Sequence, residues 1–210
     1  LLSSGADLEG VAVSGNTLYV LHERERDVFA YDLTTHERLA TYDLSAWISG
    51  NDNLGPEGLT ISDTTLYVGH QATGVIYEFN IASGSPSLIT SWSTGINVQS
   101  LSLAEDEKLY VMGSGVLRAY NADRSYQEYA LPSQPQPEGV ALRVNCSAGT
   151  ASLFIANDPG PVYRYDNFPV SCPVATPAPE PEPVVIDADN DGVASESDCN
   201  DSDASVSSDI

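Results

Sequence analysis

The sequence predicts an all-β fold: four blade repeats of a β-propeller-like ring, then a proline-rich linker and a short calcium-binding loop. Three observations carry this. One motif recurs four times at a blade-sized interval. Each recurrence opens the same series of short apolar strands. The C-terminal segment sets aspartates at alternate positions around a glycine.

The repeats open with Leu8-Glu9-Gly10-Val11-Ala12-Val13, Pro56-Glu57-Gly58-Leu59-Thr60-Ile61, Val98-Gln99-Ser100-Leu101-Ser102-Leu103 and Pro137-Glu138-Gly139-Val140-Ala141-Leu142. Glu9, Glu57, Gln99 and Glu138 are thus 48, 42 and 39 residues apart. A four-stranded propeller blade takes about 40–50 residues. After a turn each repeat continues with a strand centred on Leu18-Tyr19-Val20, Leu66-Tyr67-Val68, Leu109-Tyr110-Val111 or Leu153-Phe154-Ile155. A third strand follows over 27–33, 74–81, 115–121 and 160–166. A weaker fourth follows over 38–44, 87–93 and 125–131. Val, Ile, Leu and Tyr fill these segments while Gly, Asn, Asp, Ser and Pro separate them, and no helical period competes. One such sheet cannot bury both faces, but radially stacked sheets cover one another.

The expected blades are 5–48, 53–95, 96–134 and 135–171. The fourth has no evident outer strand, because 168–173 runs into proline. The segment Leu1–Ser4 takes the place of such a strand before the first motif. It either pairs beside 161–166 and closes the ring, or ends a blade further upstream. The four repeats accordingly close alone or form part of a larger propeller.

Composition narrows the function. With 30 acidic residues against 8 basic ones the net charge is −22. Such a surface repels a phosphate backbone, so nucleic acid is excluded as a partner, and divalent cations are favoured. No run of 18 or more apolar residues is present, so no membrane span is expected. The start, LLSSGADLEG, lacks a charged and apolar leader, which is either removed or never present. Cys146, Cys172 and Cys199 form an odd set. Either all three are free thiols, or Cys146 and Cys172, which flank the last repeat, form a disulfide and leave Cys199 over. The disulfide reading agrees with a secreted or cell-surface protein.

In a propeller the first strand of each blade lines the central axis, so Glu9, Glu57, Gln99 and Glu138 converge at one mouth of the channel. Clustered carboxylates repel unless protonated or bridged by a cation. Ca²⁺, a hard ion that takes oxygen ligands, suits them. Loops after the second strands bring His22 and Glu23, His70 and Gln71, and Asn157 and Asp158 to the same level. The competing reading gives the Glu-Gly pair a backbone role: the glycine turns the chain and the glutamate accepts from a neighbouring blade. The ligand at this mouth is an unspecified small molecule or protein.

The pattern of Glu-Gly, turn, Leu-Tyr-Val and a loop with His-Glu or Asn-Asp resembles the phytase-like and esterase-like propellers and the related SdiA-regulated family of bacterial surface proteins. More loosely it resembles calcium-dependent gluconolactonase-type propellers. The likeness covers residues 5–168. It implies calcium at the channel mouth, on Glu9, Glu57, Glu138 and Asp158, with basic side chains for phosphate. Near those loops the arginines are Arg24, Arg26, Arg143 and Arg164. Two functions follow: an extracellular binding module, or a calcium-dependent phytase-like or lactonase-like hydrolase acting at the mouth.

Residues 172–185 alternate proline with small and acidic residues and read as a semi-rigid spacer. The tail 186–210 then matches D-x-D-x-D-G-x5-[DE]. Asp187, Asp189 and Asp191 point inward at alternate positions, and Gly192 allows the sharp turn. Val193 offers its carbonyl, Ser195 binds directly or through water, and Asp198 closes the shell. Asp201 and Asp203 supply a second, overlapping site. The string from Asp187 to Val206 resembles thrombospondin type 3 repeats and similar metal-binding repeats of bacterial surface proteins. That likeness implies further Cys and Asp residues and a partner for Cys199.

Overall fold

The computed structural model describes residues 7–49, 54–131 and 136–173. The chain parts into two units, Leu1–Pro173 and Val174–Ile210. The expected calcium ligands Asp187, Asp189, Asp191, Val193, Ser195, Asp198, Asp201 and Asp203 lie outside the described residues. So do Cys199, Leu1–Ser4 and the linker from residue 174.

Fifteen strands form four antiparallel sheets arranged as a four-blade propeller, with no helix among the described residues. Blade one is β1 (Leu8–Ser14), β2 (Thr17–His22), β3 (Asp27–Asp32) and β4 (Arg38–Asp43), in that spatial order. Blade two is β5 (Pro56–Ser62), β6 (Thr65–His70), β7 (Val75–Asn80) and β8 (Ser87–Ser93). Blade three is β9 (Ser100–Leu103), β10 (Leu109–Gly113), β11 (Val116–Tyr120) and β12 (Tyr126–Ala130). Blade four has three strands: β13 (Pro137–Asn145), β14 (Thr150–Asn157) and β15 (Val162–Pro169). The proline-rich run at 168–173 begins later than its composition implies. β15 continues through Pro169, and the Phe168 ring packs on Tyr110 and Tyr129.

The blades stack through their first strands, β1 on β5, β5 on β9 and β9 on β13. Alternation along each strand sends one set of side chains to the preceding blade and the other to the following one. At the first seam Tyr19, Leu21 and Val28 meet Leu59, Leu66 and Phe79. At the second, Ile76 meets Leu101, Leu109 and Val111. At the third, Tyr110, Met112 and Leu117 meet Val140, Leu153 and Ile155. Burying each such side chain contributes about 1.5–3 kcal/mol, so the seams are the core. Tyr110 also donates its hydroxyl to the buried Asp106 at 2.8 Å. The disulfide joins Cys146, in the turn after β13, to Cys172, just past β15.

The glycine of the motif permits close approach. A Cβ on Gly10 would stand 2.6 Å from the Leu59 Cβ and 2.9 Å from the Glu57 carbonyl of the next blade. On Gly139 it would meet only Ala156 of its own sheet, at 3.1 Å. Gly10→Ala is therefore expected to lower stability by about 1–3 kcal/mol through overpacking of backbone. Gly139→Ala should cost less, and urea unfolding of the two variants checks the difference.

Candidate functional site

A register shift interrupts the ladder at the motif in three blades: between Leu8 and Val11, Pro56 and Gly58, and Pro137 and Gly139. Bulges of this kind turn a side chain out of the regular alternation, and here each contains the motif glutamate. Ligand oxygens of Asp7, Glu9 and Glu23 lie within 4.8 Å of one another. Glu57 and Glu138 are close enough to repel them: the charges of Glu9, Glu23, Glu138 and Asp7 all act on Glu57. Burial first, and then these neighbours, push Glu57 up to about 8. Burial, then Glu23, Asp7 and Glu138, push Glu9 up to about 7. Glu9 keeps solvent on one side, which screens it, whereas Glu57 is 8% exposed and carries the larger shift. Glu138 is raised by burial and by Asp158. In the third blade Gln99 precedes β9 and donates its N–H to the Met112 carbonyl at 2.9 Å. That blade adds no carboxylate at this position.

The second-strand ends supply the wall. Glu23 is 4% exposed and accepts the Gly55 N–H at 2.7 Å. Its own N–H bonds the Asp7 carbonyl at 3.0 Å. The role of accepting from a neighbouring blade, foreseen for the motif glutamate, thus falls to Glu23. Asp7 is held by Arg24 at 2.8 Å. His70 is 1% exposed, and its Nε2 bonds the Ser49 carbonyl at 3.0 Å. The buried atoms His70 Nδ1, Gln71 Oε1 and Asn157 Oδ1 have no hydrogen-bond partner among the described residues. Asn157 Nδ2 donates to the Pro161 carbonyl at 3.3 Å. Asp158 is exposed, with its N–H on the Gln136 carbonyl. His22 belongs elsewhere. Alternation places it on the side of Leu18 and Val20, where its ring lies 5.7 Å from Phe29 and its Nδ1 meets Glu25.

Sequence reasoning missed Asp7, which precedes the repeat motif and has no counterpart in the other blades. The signal for Glu23 over His22 was available in strand parity: with Leu18 and Val20 on one face, residue 22 follows them and residue 23 does not. Chemically the mouth is a set of oxygen donors with surplus negative charge, fit for a hard cation. Glu57 adds one carboxyl that stays largely protonated at neutral pH.

Fold and site together define a four-bladed propeller with an acidic channel mouth. No family model matches the chain, and no curated protein matches it. Solved structures do. The glutaminyl cyclase of Myxococcus xanthus is 14% identical at a TM-score of 0.58, over 79% of this chain and 69% of that one. Virginiamycin B lyase from Staphylococcus aureus is 12% identical at 0.52, over 75% and 51%. A chain of the mitotic checkpoint complex is 13% identical at 0.52, over 79% and 51%. The chain thus spans about half the length of the last two. At these identities the likeness is one of fold.

Proposed function

We propose that this chain is an extracellular or cell-surface binding module. Its propeller mouth takes Ca²⁺, or a ligand held through Ca²⁺, and its aspartate-rich loop is a second, separate calcium site. The convergence of Asp7, Glu9, Glu23, Glu57 and Glu138 at one mouth carries the reading. Their mutual repulsion is relieved by a bridging cation, and Gln71 Oε1 and Asn157 Oδ1 are further acceptors without partners among the described residues. The Cys146–Cys172 disulfide supports an oxidising location, and no helix among the described residues is long and apolar enough to cross a membrane.

Calorimetric titration of the whole chain with Ca²⁺ tests both sites. Two classes of binding are expected. Glu9→Gln with Glu57→Gln removes one. Asp187→Ala with Asp189→Ala removes the other, whose affinity lies on the order of 10⁻⁴–10⁻³ M, the range of extracellular modules. Mg²⁺ competes poorly at the loop, because its small octahedral shell suits a flexible many-oxygen site badly. A wild-type heat curve in the first pair refutes the mouth site; the same in the second refutes the loop.

The raised Glu57 carboxyl favours a second reading, a calcium-dependent hydrolase of phytase-like or lactonase-like type. A carboxyl titrating at about 8 can donate a proton to a leaving group near neutral pH. Phosphomonoester or lactone turnover that needs Ca²⁺ and disappears in Glu57→Gln identifies it.

A further inference from the structure

Among the described residues the propeller has one unsealed seam, and the repeats identify both of its faces. Leu59, Leu101 and Val140 pack against the preceding blade and are 2%, 4% and 7% exposed. Val11 holds the same position in blade one and is 64% exposed, with Val13 beside it at 57%. Val28, Ile76 and Leu117 pack toward the following blade and are each fully buried. Their counterpart in blade four, Val162, is 64% exposed. The motif glycines agree, for Gly10 and Gly58 abut the next blade and Gly139 does not.

These two faces are the two halves of one kind of joint, the joint already built three times inside the chain. They also differ in charge. Blade four turns Arg143 and Arg164 toward its open side, at positions in register with Ser152 and Phe154. Arg143 forms no ion pair among the described residues, and Arg164 is paired with Asp166. On the open side of blade one, Asp27 stands directly opposite Asp43 across the β3–β4 ladder. Like charges so placed destabilise a sheet. The groups facing Asp27 are Glu25, His22 and Arg38; its carboxyl is raised by burial, Asp43 and Glu25, with His22 and Arg38 opposing.

We propose that a second copy of this chain covers the seam: the open face of blade four in one copy packs on the open face of blade one in the next. The contact is heterologous, and each molecule carries both halves. It extends the internal seams across molecules, with Val162 and Phe154 against Val11 and Val13. It also sets Arg164, two residues along β15 from Val162, against the side of blade one that carries the Asp27–Asp43 pair.

The test is the mass of the whole chain in solution by light scattering over a dilution series. The wild type is expected to reach at least twice the 22.3 kDa of one chain. The pair Val11→Glu and Val13→Glu spoils the face of blade one; Val162→Glu with Arg164→Glu spoils that of blade four. All four positions are exposed, so melting temperatures should stay near wild type. Each double variant alone is expected to remain at 22.3 kDa. Mixed together they should regain a 1:1 pair, because one intact face remains on each. A wild type that stays at the single-chain mass overturns the proposal, including the case in which hydrogen exchange shows the seam closed within one molecule. So does a double variant that associates like the wild type, or a mixture that gains nothing.

Discussion

Replacing Cys146 and Cys172 together with serine is expected to destabilise the propeller by about 3 kcal/mol, the chain-entropy value for a loop of this size. The bond spans a sequence separation of 26 and encloses β14 and β15. Blade four depends on it more than any other blade would. Among the described residues it has three strands instead of four, and one of its faces has no neighbouring sheet. Entropy removed from the unfolded chain therefore replaces packing that this blade does not make. In a thermal melt the loss corresponds to a fall of about 6–12 °C for a chain of this size. Reductant acting on the wild type should reproduce it. Amide exchange should rise first in β13, β14 and β15, ahead of the fully packed blade two. An unchanged melting temperature under reductant refutes the assignment.

Raising the pH from 6 to 9 is expected to lower the melting temperature by several degrees, and Glu57→Gln should remove much of that fall. Glu57 is pushed from 4.5 up to about 8 and Glu9 up to about 7. Between 4.5 and these values the folded state holds protons that the unfolded chain has released, so unfolding free energy decreases as pH rises. The contribution is complete below about 4.5 and is lost through 7 and 8. Asp32, Asp43, Asp123 and Asp166 act in the opposite direction. Hydrogen bonds hold them below 3.8, so their contribution is lost only in stronger acid. Rising net negative charge works with the glutamates at high pH. The difference between wild type and Glu57→Gln isolates the mouth from that background. Ca²⁺ added at pH 9 should restore the wild type more than the variant. Equal pH profiles for the two proteins contradict the buried, repelling carboxylates.

Much of the architecture was legible because it is local. Alternating apolar residues and the turn residues between them mark strands without reference to the rest of the chain. The segments read at 17–20, 65–68 and 152–155 lie in β2, β6 and β14, and the one read at 108–111 starts one residue before β10. The missing outer strand of blade four was visible in its prolines, and among the described residues no strand follows β15 in that sheet. The Cys146–Cys172 pair was one of two readings and is the one that formed.

The site was legible only in part. The repeat aligned Glu9, Glu57 and Glu138, because equivalent positions in stacked sheets meet at one axis. Asp7 has no repeat to announce it, and it reaches the cluster through tertiary contact with Glu23 and Arg24. His22 and His70 look alike beside their neighbours in sequence. Yet one ring ends against Phe29 and the other against the Ser49 carbonyl, as packing from other strands dictates.

By itself the sequence determined four repeats, the strands within them and the positions that face one axis, since periodicity and turn chemistry are properties of short segments; whether four repeats make the ring was left open. Only the tertiary structure decided the protonation of Glu57, because burial and the charges of other blades set it. It alone also decided that the seams after blades one, two and three are sealed while Val11 and Val162 remain in solvent. The same apolar residue is core or surface according to whether another sheet lies over it, and no single repeat encodes its neighbour.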